Sequence, residues 1–141
     1  MLVYFPLLTE VKYMSIVSVS MSEESIEALE KVQHYLRLAG RSEAVRTAIK
    51  IAEAEIKDME KLDGEVEGVL MIVHSTHGDQ WMNAIQHKYE KNIRTQLHSH
   101  LQNRKCLEVM ILSSNSVALE HMMKEIYGIG KADYIKFIRS T

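Results

Sequence analysis

The strongest constraint on this chain is a series of six apolar-patterned stretches from Gly68 to Ile138 that switch between a period of two and a period near 3.6. Gly68 to His74 predicts a strand, Asp79 to Asn92 a helix, Arg94 to Leu101 and Cys106 to Leu112 two strands, Ser116 to Tyr127 a helix, and Ala132 to Ile138 a final strand. In the second helix, Leu119, Met122, Met123 and Ile126 fall on one face, and Gly128 follows as a natural stop. The order βαββαβ is the split-βαβ, ferredoxin-like arrangement, whose first and third strands lie centrally. Gly68–His74 and Cys106–Leu112 are therefore the expected inner pair.

Two of these strands carry chemistry. His98 and His100 are two residues apart, so on an extended strand both imidazoles point to one face and can reach one metal ion. Leu97, Ser99 and Leu101 take the other face, while Gln96 and Gln102 join the histidines. After the polar turn Gln102-Asn103-Arg104-Lys105, a hairpin brings back Cys106, the only cysteine, beside the two rings. Imidazole nitrogens with one thiolate suit a borderline or soft late transition ion, so nickel, copper, cobalt and zinc all remain, whereas magnesium and calcium want oxygen. His87, in the helical run Asp79–Asn92, could complete a set of three histidines and one cysteine. The plainer alternative is a half-exposed strand decorated by histidines, with Cys106 a small buried hydrophobe.

The N-terminal part has a different pattern. Ile16 to Met21 alternates, with Val17, Val19 and Met21 on one face and Ile16, Ser18 and Ser20 on the other. Ser22 can cap a helix whose first turn carries Glu23 and Glu24, and Ile26, Leu29, Val32 and Leu36 keep helical spacing up to Gly40. Val45, Ala48, Ile49, Ala52 and Ile56 form the face of a second helix. One strand cannot make a sheet, and about forty residues make too small a core. Pairing with a second copy solves both problems through a two-stranded antiparallel ribbon that buries Val17, Val19 and Met21. Such a βαα unit resembles the ribbon-helix-helix DNA-binding fold, whose ribbon enters the major groove and would here present Ile16, Ser18 and Ser20 to base edges. The segment Gly40 to Arg46 resembles the start of that fold's second helix, where backbone amides and the basic Arg41 and Arg46 would hold phosphate.

The expected organisation is thus a DNA-binding domain over residues 14–56, a polar linker over 57–67 containing Gly64, and a metal-binding domain over 68–141. Residues Met1 to Tyr13 hold the only proline and no clear element, and the pattern starting after Met14 suggests Met14 as the natural first residue. A net charge of -2 excludes wrapping nucleic acid by bulk charge, so DNA contact would rest on local groups such as Arg37, Arg41, Arg46 and Lys50. No apolar run approaches the roughly 18 residues that span a bilayer, and the apolar start lacks a basic leader and a cleavage site. A cytoplasmic location is expected, in agreement with a lone cysteine that cannot form an internal disulfide.

A ribbon-helix-helix unit joined to a βαββαβ domain bearing Ile85-Gln86-His87, Leu97-His98-Ser99-His100 and Cys106-Leu107-Glu108 resembles the nickel-responsive transcriptional regulator family, over nearly the whole chain from Ile16 onward. The resemblance implies an ACT-like regulatory domain that assembles a homotetramer, a dimer of dimers. It implies nickel(II) at the subunit interface, held by His98, His100 and Cys106 of one subunit and His87 of its neighbour. A planar set of three nitrogens and one sulfur suits that ion. Gln86 and Glu108 match positions beside the ligands. The implied function is a nickel-dependent repressor binding double-stranded operator DNA, not an enzyme; the alternative is a metal sensor or buffer without specific DNA binding. The chain departs from the family in lacking the usual Tyr near His74, in its outward ribbon residues, in a shorter loop around His74–Gln80, and in having Thr47 where an acid is expected one turn after Glu43. His34, His74, His77 and His121 read as surface or packing histidines, the methionines as core, and Trp81 and Tyr89 as interface residues.

Overall fold

Ser22 starts the first helix as its spacing predicts. Its hydroxyl accepts the Ser25 amide at 3.2 Å, and α1 runs Glu23–Tyr35. The helix stops before Gly40, because Arg37 turns left-handed at φ 54°. The Leu38 amide then donates to the Gln33 carbonyl and the Arg37 amide to that of His34, the paired bonds of a Schellman ending, here built on an arginine. The second helix, α2, spans Arg41–Glu60 and continues four residues past the Ile56 limit expected from its apolar face. The structure, a computed structural model, describes residues 14–77 and 79–140; the expectations for Met1–Tyr13 lie outside them.

The chain divides into two compact units, residues 1–51 and 52–141. In the first, only Ala44 is fully buried among the described residues, and Met14–Met21 forms neither helix nor strand. The strand expected at Ile16–Met21 is therefore not formed, and no strand among the described residues pairs with that segment. Ile16 is 98% exposed, Val17 78% and Val19 74%, so this unit leaves its apolar alternation bare.

The second unit follows the βαββαβ order. It contains β1 (Glu65–Ser75), α3 (Gln80–Lys88), β2 (Ile93–His100), β3 (Lys105–Asn115), α4 (Ser116–Ile129) and β4 (Ala132–Arg139). The helix expected to reach Asn92 ends at Lys88, and a short 3₁₀ turn at Glu90–Asn92 takes up the rest. Asn115 caps α4 by accepting the Ala118 amide, and Gly130, at φ 70°, ends it two residues beyond the expected Gly128. The sheet is antiparallel throughout, in the order β2-β3-β1-β4, so the first and third strands are the inner pair.

One face of the sheet packs against α3 and α4. Alternate residues of β1 (Val66, Leu70, Ile72) and β3 (Met110, Leu112) meet Met82 and Ile85 of α3 and Leu119, Met122 and Ile126 of α4 in a single core. Gly68 lies in the same buried phase of β1, where a Cβ would stand 2.4 Å from the Ile138 carbonyl oxygen and 2.6 Å from the Phe137 ring. The other face is open and apolar, with Leu97, Ile111, Tyr134 and Ile138 all exposed. Among the described residues no helix is long and apolar enough to cross a membrane.

Candidate metal centre

The β2–β3 hairpin sets the register of the candidate ligands. Leu101 donates its amide to the Lys105 carbonyl at 2.8 Å, and Asn103 and Arg104 close the turn with left-handed backbone. Cys106 therefore pairs with His100, and Glu108 with His98. Directly opposed strand residues share a face, so both histidines point to the side where Cys106 and Glu108 are buried. The helices cover the inner strands there but leave the edge strand open, so the cysteine is 1% exposed while His98 and His100 remain accessible.

His98, His100 and Cys106 each bring a ligand atom to within 4.8 Å of the others. Donors bound at roughly 2.0–2.3 Å from one ion stand about 3 to 4.4 Å apart, so a small contraction suffices to centre an ion among them. The Cys106 sulfur is already 3.5 Å from the His100 Nδ1. Burial, followed by the nearby carboxylates of Glu108 and Asp79, pushes the thiol above its ordinary value of 9.0. A cation at this place would reverse that balance and hold the thiolate.

Glu108 organises the floor of the site. It is 3% exposed, and its Oε1 accepts from His98 Nδ1 at 2.5 Å and from His74 Nε2 at 3.2 Å. Its Oε2 accepts from the Gln86 side-chain amide at 3.2 Å. Gln86 thus reaches Glu108 from α3. His87, the next residue, is not brought to the cluster within one chain: its side chain is 87% exposed and its nearest charged partner is Glu90, 3.8 Å away.

His74 was expected to be a packing or surface histidine, and it is fully buried. The register of β1 against β3 places it opposite Cys106, one pair from Glu108. Its Nδ1 donates to the Ser75 carbonyl at 2.9 Å, its Nε2 faces Glu108, and the Trp81 ring meets it edge-on with centroids 5.5 Å apart. Glu108 is already matched to a position beside the ligands, whereas His74 is not, yet both carry the same signal in the sequence. His74 follows Val66, Leu70 and Ile72, and Glu108 precedes Met110 and Leu112, so each is a polar residue in the buried phase of its strand.

The residues expected to meet DNA lie in the first unit. Ile16, Ser18 and Ser20 are exposed on Met14–Met21, and Arg41 and Arg46 lie on α2, with Arg41 Nη2 on Glu30 Oε1 at 2.6 Å.

Comparison with known proteins identifies the family. The sequence model described as "NikR C terminal nickel binding domain" matches residues 68–139, about half of the chain, from within β1 to the end of β4. A protein of Halobacterium salinarum named "Putative nickel-responsive regulator" is 32% identical over 117 residues, covering 80% of this chain and 82% of its own. A Geobacter protein of the same name is 26% identical over 126 residues, covering 87% and 90% respectively. Among solved structures, the uncharacterized protein TM1266 from Thermotoga maritima shares the fold at a TM-score of 0.50 and 11% identity, over 55% of this chain and 99% of that one. With donors suited to a late transition ion, a relative matched over four-fifths of each chain and a matching metal-binding domain, the chain belongs to the nickel-responsive regulator family and binds nickel.

Proposed function

We propose that the protein is a nickel-dependent transcriptional repressor that binds operator DNA as a homotetramer, with nickel held by His98, His100 and Cys106 of one subunit and His87 of a neighbour. The observation that carries the reading is the convergence of two imidazoles and one thiol above a buried carboxylate that orients one of the rings. A bound Ni(II) would supply the positive charge and the preference for four planar donors that tie the ligands together. The chain's own residues do the rest. Glu108 holds the His98 ring, Gln86 holds Glu108, and the half-open edge at β2 leaves room for a fourth donor from outside the subunit.

Two features support assembly. The sheet presents Leu97, Ile111, Tyr134 and Ile138 exposed on the face opposite α3 and α4, an apolar area of the kind that subunits bury. The N-terminal unit leaves Val17, Val19 and Met21 exposed, the face that one half of a ribbon-helix-helix dimer over residues 14–56 would bury against the other. In that dimer Ser18 and Ser20 would face base edges, while Arg41 and Arg46 would hold phosphates.

An electrophoretic mobility assay with DNA from upstream of the protein's own gene tests this. A shift that requires nickel is expected. A chain that binds nickel but shifts no DNA under either condition would instead be a sensor or buffer.

A further inference from the structure

We propose that His74 is a positioning residue of the metal centre: acting through Glu108, it determines which ring nitrogen His98 offers to nickel. The proposal rests on the reading of His98 as a ligand. His98 reaches Glu108 through Nδ1, which leaves Nε2 as its free donor. That choice holds only while Oε1 stays in place. Glu108 is anchored at Oε2 by a single amide from Gln86, on an accessible helix, and at Oε1 by His74, which is wholly buried and itself fixed by the Ser75 carbonyl and the Trp81 ring. His74 is therefore the rigid end of a relay that runs from the backbone of β1 through Glu108 to the exposed ring on β2. Without it, a buried carboxylate loses a donor and turns toward another, and the His98 ring is free to flip. His74 is not itself a candidate ligand, since both of its nitrogens are engaged and it lies outside the group of converging donors.

The test is a double-mutant cycle on the full-length protein, read by competitive nickel titration, with histidine ¹⁵N spectra of the metal-free protein as a second readout. His74→Phe keeps the ring's bulk and removes its donors; a roughly 10- to 100-fold loss of nickel affinity is expected. His74→Gln, which keeps a donor for Oε1, should recover most of that loss. In a Glu108→Gln background His74→Phe should cost less than about twofold, since a residue acting through Glu108 has nothing left to act on. In the metal-free wild type His98 should carry its proton on Nδ1, and in His74→Phe that tautomer should lose its dominance. Should the phenylalanine variant fail to fold, His74→Asn, polar but too short to reach Oε1, carries the same expectations. Equal losses with and without Glu108 would mean that His74 acts by packing or by ligation, and overturn the proposal. So would an unchanged His98 tautomer. His98→Ala separates the two readings: if it leaves nickel affinity unchanged, the ligand assignment and this inference both fall. If it abolishes tight binding while His74→Phe changes nothing, only the inference falls.

Discussion

Nickel affinity should rise steeply with pH through the neutral range, because the Cys106 thiol must lose its proton to ligate. Burial raises the thiol first, and Glu108 and Asp79 add to it, so through the neutral range the metal-free site holds a neutral thiol. The sign is that of a proton competing with the metal: below the thiol's own value, each pH unit removes a factor of about ten from the apparent affinity. Between pH 9 and pH 7 this one group therefore costs up to about 100-fold. The metal-free fold shows the opposite trend. A thiol raised in the folded state favours folding at low pH, and that contribution fades as pH rises above the unfolded thiol's value. Competitive titration against a chelator of known pH dependence at pH 7, 8 and 9, with proton release recorded in weak buffer, measures the slope. Cys106→Ser should flatten it and lower the affinity throughout. A wild-type affinity that is constant between pH 7 and pH 8, with no proton released, would refute either the thiolate ligand or the raised thiol.

Other expectations follow from the same geometry. Gly68→Ala should destabilise the metal-binding unit by about 1–3 kcal/mol or more in chemical denaturation, since the added methyl meets the Ile138 carbonyl and the Phe137 ring; a neutral result would mean that β4 shifts freely. Ser18→Ala and Ser20→Ala should weaken operator binding without changing nickel affinity, whereas Val19→Ser should dissociate the N-terminal dimer and lower its melting temperature. Equal thermal effects of Ser18→Ala and Val19→Ser would place the ribbon faces the other way round. Mixing His87→Ala with Cys106→Ala protein should restore tight nickel binding that neither has alone, as exchanged subunits rebuild a site with an intact His87 on one chain and an intact His98, His100 and Cys106 on the other. Subunit exchange without recovery would mean that the four ligands belong to one chain or that the site is not the one proposed.

Local periodicity determined most of the second unit. The alternation of β1 and β3, the helical face of Leu119, Met122, Met123 and Ile126, and the His98–His100 spacing each depend on neighbours a few residues away, and sequence carries that information directly. The hairpin that returns Cys106 to His100 is also local, being closed by a polar turn. Helix ends were read less well. Arg37 and Gly130, rather than Gly40 and Gly128, stop their helices, because a left-handed residue is selected by the carbonyls left free at that turn as well as by residue type. What only tertiary structure decided is the surroundings of Glu108. His74 lies thirty-four residues before it, and no periodicity links them; the antiparallel register of β1 on β3 brings the imidazole beneath the carboxylate. The same holds for the bare alternation of Ile16 to Met21. Its pattern is legible as a strand, but a strand exists only once another backbone accepts its hydrogen bonds, and that partner is not encoded within the segment.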